Sequence, residues 1–321
     1  MDAVFTTIAY SSPVLLTLAA IEIYWLRRHG RPYQARDSLL SLADLAIRRV
    51  VTAVIGGSVL ITVARWIPYR WMDLPLRTES GWNWLNMGIL VLAVEFFYYW
   101  FHRWSHEIRW FWATHAVHHS SNTMSLLTAE RLGWTQSLSG AALTFFPLVL
   151  LGFKAQDVSI VLSLNLLYQF WLHTEVIGNL GWFESVFNTP SHHRVHHGAN
   201  PRYLDANYGG ILIIWDRLFG TFVAESNAEP VRFGLVKPVV SNNPIYIALH
   251  EWMNLAKDVS RHWRSPRRLL GYLFGPPGWS HDGSRLTSAQ MKQGVAGKSI
   301  PNSSFTGSIN QPYDQCTQNG R

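Results

Sequence analysis

Ten of the fourteen histidines in this chain of 321 residues fall between positions 102 and 197. That stretch is 96 residues long, and even scatter would place about four there. They also recur at helical spacing. His102 and His106 stand four apart; His115, His118 and His119 are spaced by three and one; His193, His196 and His197 repeat the second pattern, with His192 immediately before. At 3.6 residues per turn, each box turns its rings toward one face of a helix. His173 closes an apolar stretch at the depth where the boxes should lie. A single histidine pair is weak support for a ligand site, but three boxes together are strong. Nine imidazoles (His102, His106, His115, His118, His119, His173, His193, His196 and His197) are too many for one ion. Two ions with four or five nitrogen ligands each would use them all and leave positions open for dioxygen or water. Imidazole suits iron, copper, nickel and zinc alike, so the spacing predicts a dinuclear site without naming the element. His192 could replace His193, because 192 to 196 is also one turn; the spacing of the second box favours His193.

Ligating imidazoles usually donate their second N–H to an oxygen, which makes the nearby acids Glu107, Glu130, Glu175 and Asp205 candidates for that task. A solvated or capping role explains each of them equally well. His29, His250, His262 and His281 lie outside the boxes and read as surface or loop residues. The single cysteine, Cys316, excludes an internal disulfide or a paired-cysteine metal site. No nucleophile elbow, zinc-protease helix motif, P-loop or dinucleotide fingerprint is present.

The elements that would position the boxes read as membrane helices. Only 15% of residues are charged, against about 25% in an ordinary soluble protein, while Trp, Tyr and Phe number 16, 12 and 16. Five apolar segments, residues 4–26, 45–64, 84–101, 137–153 and 158–172, approach the ~20 residues that cross a bilayer. Buried helices of a soluble protein are the alternative, above all for the last two. Arg27, Arg28, Arg31, Arg36, Arg48 and Arg49 mark one side as cytoplasmic. Alternation then delivers all ten clustered histidines to that face. The first segment reads as an uncleaved anchor, because its basic residues follow the apolar run. Stretches 211–222 and 245–252 have the composition of amphipathic interfacial helices. The expected organisation is an integral membrane domain over 1–283 and a polar, disordered tail over 284–321. The net charge of +7 fits an anionic lipid surface as well as nucleic acid, and no nucleic-acid motif accompanies it.

The three boxes resemble the pattern of the membrane-bound fatty acid hydroxylase and sterol desaturase superfamily. Within it, residues 168–175 (YQFWLHTE), 188–198 (NTPSHHRVHHG) and 207–221 (NYGGILIIWDRLFGT) are similar to the alkylglycerol monooxygenase branch. The resemblance implies an all-α, polytopic helical bundle with a diiron site on the cytoplasmic face, the nine histidines as iron ligands and Glu107 as a functional acid. It further implies a lipid C–H bond as substrate, dioxygen as oxidant and an external reductant, in that branch tetrahydrobiopterin. Hydroxylation or desaturation of another lipid is the nearest alternative. A membrane metal carrier is a more distant one, disfavoured because the histidines gather on one face instead of lining a path across. Oligomeric state is open.

Overall fold

A computed structural model describes residues 3–31, 33–55, 59–67 and 70–295. The described chain is mostly helical, with one two-residue hairpin pairing Arg77–Thr78 antiparallel to Gly81–Trp82.

The central element is the helix Trp84–Glu107. The Asn83 side chain starts it by accepting from the Asn86 N–H at 3.1 Å, and the backbone leaves helical geometry at Ile108 (φ −116°, ψ 116°). Its 24 residues span about 36 Å, enough to cross a bilayer. Leu90, Val94 and Tyr98 form a buried stripe that packs on Phe145, Leu148, Phe153 and Val158. The opposite face leaves Leu85, Ile89 and Leu92 exposed.

Among the described residues, this is the one helix long and apolar enough to span a membrane. Segments 137–153 and 158–172 are interrupted or short, for reasons that hydropathy does not register. Of segment 45–64, the described residues lie in helices Ala35–Ile55 and Val59–Trp66, and 56–58 fall outside the description. Segment 137–153 breaks into Gln136–Ser139, Ala141–Phe145 and Phe146–Leu151, because Gly140 is left-handed (φ 75°) and Pro147 opens a new helix. Helix Ala155–Phe170 has 16 residues, roughly 24 Å. The first segment is helical from Ala3 to Arg28, although the side chains before residue 13 lie outside the description.

After the last box come helix Ile214–Phe219, the amphipathic helix Pro244–His262 and the short helix Pro266–Phe274. The expected tail does not begin as disorder. Residues 288–295 form a further helix, and Arg285 pairs with Asp258 at 2.6 Å. Residues 296–321 lie outside the described part.

Candidate metal centre

The span helix carries the first box on its last two turns, with His102 and His106 both buried. The second box is not one helix, contrary to its spacing. His115 ends helix Arg109–His115, and His118 and His119 sit in a separate 3-10 turn, His118–Ser120. The tighter turn still leaves both rings facing His115, with centroids 5.5 and 4.9 Å away. The third box occupies helix Pro190–His196, with Pro190 in its first turn and His197 at its end. His173 follows helix Ala155–Phe170 on a short turn.

These elements gather the nine predicted histidines into two groups. His102, His106, His115, His119 and His196 form one; His118, His173, His193 and His197 form the other; within each group one nitrogen per ring lies within 4.8 Å of the rest. The groups adjoin through His119 and His197, stacked at 4.3 Å. His192 belongs to neither. It turns toward Glu184, with Nε2 3.6 Å from the carboxylate, whereas His193 lies within the second group.

Four rings are oriented by backbone carbonyls. Nδ1–H of His102 donates to Tyr208 O, His118 to Arg131 O, His173 to Gln169 O and His196 to Ala206 O, at 2.8–3.1 Å. A neutral imidazole carries one N–H, so a proton on Nδ1 leaves Nε2 as a bare acceptor. His118 and His173 therefore point two lone pairs at each other across 3.1 Å. His193 Nε2 stands 2.9 Å from the same His173 atom, and buried His106 Nε2 and His196 Nε2 have no hydrogen-bond partner. Lone pairs facing one another repel unless a cation lies between them. With metal–nitrogen bonds of about 2.0–2.1 Å, neighbouring ligands sit roughly 2.9–3.4 Å apart, the spacing seen here. The residues present thus fit two metal ions.

Burial also holds these rings in the ligating form. It pushes His115, His118, His119, His193, His196 and His197 well below the usual histidine value, neighbouring histidines adding to the effect for every one, and it lowers His173 to about 4.

The acids separate in space. Asp205 approaches His106 Nδ1 at 3.6 Å. Glu130 pairs with Arg48 at 2.9 Å. Glu107 lies outside both histidine groups, 39% exposed, and accepts from Arg103 Nε at 2.9 Å. Glu175 likewise lies outside both groups. The four remaining histidines also stay outside, but His250 is not a surface residue: it is buried in helix Pro244–His262, its ring against Ile247 O at 2.7 Å.

Other supports carry no recognisable sequence signature. Asp216 is fully buried and accepts from Tyr208 N, Gly209 N and Thr221 Oγ1 at 2.6–2.7 Å. Burial raises it to about 6, so at neutral pH it is a carboxylate that fixes the loop whose Tyr208 carbonyl holds His102. Glu95 accepts from Ile211 N and Leu212 N at 2.9 and 3.0 Å and from Asn165; Asn165 accepts from Gln169, whose carbonyl holds His173. Arg131, 2% exposed, donates to Asp37 O at 2.7 Å and Ser41 Oγ at 3.2 Å, and its own carbonyl holds His118. Arg131→Ala should destabilise the protein by roughly 3–5 kcal/mol, the usual cost of stranding a buried partner. Thermal unfolding in detergent reads this directly, and an unchanged midpoint would remove Arg131 from the site's framework.

The fatty acid hydroxylase family model matches residues 87–221, the segment that holds all nine histidines. Alkylglycerol monooxygenase of Homo sapiens is 36% identical over 94% of this chain and 66% of its own length. The Xenopus tropicalis protein of the same name is 37% identical over 90% of this chain and 62% of its own. Ornithine lipid hydroxylase OlsE of Rhizobium tropici is 35% identical over 41% of this chain and 40% of its own. The chain thus spans less than two thirds of the length of each of these relatives. No solved structure matches it.

Proposed function

We propose that this chain, which belongs to the fatty acid hydroxylase family, is a membrane-bound, non-haem diiron monooxygenase that hydroxylates a lipid C–H bond. The division of nine histidines, eight buried and His115 half-buried, into adjoining cages of five and four carries the reading. His102, His106, His115, His119 and His196 would hold one iron; His118, His173, His193 and His197 would hold the other. Bound there, the pair supplies activation of dioxygen and insertion of one oxygen atom into an unreactive C–H bond. The second oxygen leaves as water, with two electrons and two protons from an external reductant.

The remaining work belongs to the protein. The Tyr208, Ala206, Arg131 and Gln169 carbonyls fix four imidazoles before any metal arrives, so little reorganisation is left. Burial of the cages keeps bulk water from the reacting carbon. In this reading the cages lie at the C-terminal end of helix Trp84–Glu107, so the reacting methylene group reaches them there while the rest of the lipid tail stays in hydrocarbon. The organisation this requires is a multi-pass domain over residues 1–283 with the cages on the cytoplasmic face, which the arginines at 27, 28, 31, 36, 48 and 49 support.

Similarity to alkylglycerol monooxygenases over most of the sequence favours an ether lipid as substrate and tetrahydrobiopterin as reductant. Hydroxylation of the carbon beside an ether oxygen gives a hemiacetal, which collapses to a fatty aldehyde and a free glycerol hydroxyl. Purified protein supplied with iron, dioxygen, tetrahydrobiopterin and an alkylglycerol should release that aldehyde. Under 18O2 its carbonyl oxygen should be labelled before exchange with water. Iron-loaded protein that oxidises no lipid from a total extract with any reductant would refute the assignment. An oxidised acyl or head-group product without aldehyde would move the substrate to another lipid class, as similarity to an ornithine lipid hydroxylase allows.

A further inference from the structure

The segment after the last long helix presents a surface that neither water nor the histidine cages account for. From residue 259 to residue 281 the sequence has no aspartate or glutamate but has Arg261, Arg264, Arg267 and Arg268. All four are exposed, and none joins an ion pair among the described residues. Among and just after them stand three large apolar side chains that are more than half exposed: Trp263 at 62%, Leu270 at 56% and Phe274 at 55%. Leu270 and Phe274 lie one turn apart on helix Pro266–Phe274 and share a face.

The other face of that helix is already used. Tyr272 is buried against Trp279, ring centroids 5.1 Å apart, and a Cβ on Gly271 would come within 2.3 Å of the Trp279 ring. The apolar residues at 270 and 274 are therefore not core residues turned outward by chance.

The position of the helix decides what covers it. Gly275 O, just past its end, accepts from Arg109 N at 3.0 Å, and Arg109 is the second residue beyond the span helix Trp84–Glu107. The Arg109 guanidinium lies 6.0 Å from the centre of the Tyr272 ring. Leu270 and Phe274 thus sit at the level where the span leaves the bilayer, on the side of the histidine cages. Arginines flanking apolar anchors, with Trp263 beneath Arg264 at 4.9 Å, match the chemistry of a headgroup layer.

We infer that Trp263, Leu270, Phe274 and the four arginines around them form a docking surface for anionic phospholipid headgroups. It rests on the reading of helix Trp84–Glu107 as a membrane span and goes beyond the proposed reaction, because it assigns a lipid contact outside the cages. Docking there ties the region that follows the last box to the leaflet from which the cages open.

The test uses the full-length protein in nanodiscs, with Cys316→Ser removing the single native thiol and Leu270→Cys carrying a nitroxide. Discs contain phosphatidylcholine alone or with about 30% phosphatidylglycerol, a charge density near that of an anionic leaflet. In the anionic discs the label should be reached by oxygen and shielded from an aqueous nickel complex. With Arg267→Gln and Arg268→Gln the docking equilibrium should weaken by roughly 25-fold, from about fivefold per arginine, and in neutral discs by more, since all four arginines lose their partner. A label equally immersed in both discs would overturn recognition of the anionic headgroup. A label open to nickel in both, or shielded from both probes by protein, would overturn docking to lipid altogether. Iron content of the same samples separates this failure from failure of the diiron reading, since the arginines touch none of the nine histidines.

Discussion

His118→Ala should lower bound iron from about two per protein molecule to about one and reduce lipid hydroxylation by at least a thousandfold. His118 belongs to the smaller cage, where its loss leaves His173, His193 and His197. Three neutral nitrogens hold an exchangeable ion less tightly than four, and oxidation that draws on two metals stops when either is missing. His196→Ala removes one ring from the cage of five and leaves four. It should retain more iron than His118→Ala while losing comparable activity, because the ion's open positions are then rearranged. Neither variant alters the apolar face of Trp84–Glu107, so membrane integration should be unchanged. Metal analysis and turnover on the same preparation distinguish the cases. His29→Ala is the control: that ring is exposed and stacks on Trp25 at 4.2 Å, away from both cages. Full activity in His118→Ala would take it out of the ligand set.

The second large effect is expected at Glu95, two turns before the first box on helix Trp84–Glu107 and itself no ligand candidate. Its carboxylate accepts from Ile211 N, Leu212 N and Asn165 Nδ2 in a buried site. Glu95→Leu would leave three buried donors without an acceptor, at about 1–3 kcal/mol each, so a loss of several kcal/mol follows. Function should suffer in a particular way. On one side the carboxylate anchors the 211–212 backbone, close in sequence to the Tyr208 carbonyl that orients His102 in the cage of five. On the other, Asn165 and Gln169 link it to the carbonyl that orients His173 in the cage of four. Glu95 is therefore a positioning residue for both cages. Glu95→Gln keeps the shape but sets an N–H against an N–H, and it should lower iron retention in both cages together. Loss confined to one iron, or none with stability unchanged, would contradict that role.

Why these supports escape sequence reading is a matter of what spacing can encode. Histidine spacing carries the proposed ligands, because a helix or tight turn brings near neighbours in sequence to one face; all nine come together in the two groups. The orienting groups come from elsewhere in the sequence. Tyr208 O lies 106 residues from His102, and every residue offers such a carbonyl, so none is marked out. Glu95 is a single acid whose backbone N–H partners lie 116 and 117 residues away, and Asp216 is a single acid bonded to N–H groups of a nearby loop that carry no side-chain signal. His192 and His193 differ by one position, and only the tertiary contact of His192 with Glu184 separates them.

The same distinction explains the spans. Hydropathy finds apolar stretches but not the left-handed Gly140 or the new start at Pro147 that divide residues 137–153. It does find Trp84–Glu107, where apolar character and helical continuity coincide. The second box shows a related limit, since its spacing fits a helix while the backbone tightens to a 3-10 turn after Val117 and still converges.

Iron quantitation with Mössbauer spectroscopy of the purified full-length protein, grown with 57Fe, tests the central claim most directly. Cages of five and four imidazoles predict about two irons per molecule, in two distinguishable environments of equal weight, one altered in His196→Ala and the other lost in His118→Ala. Iron at or below one per molecule in active enzyme, or a single environment untouched by either substitution, would contradict the two-cage account.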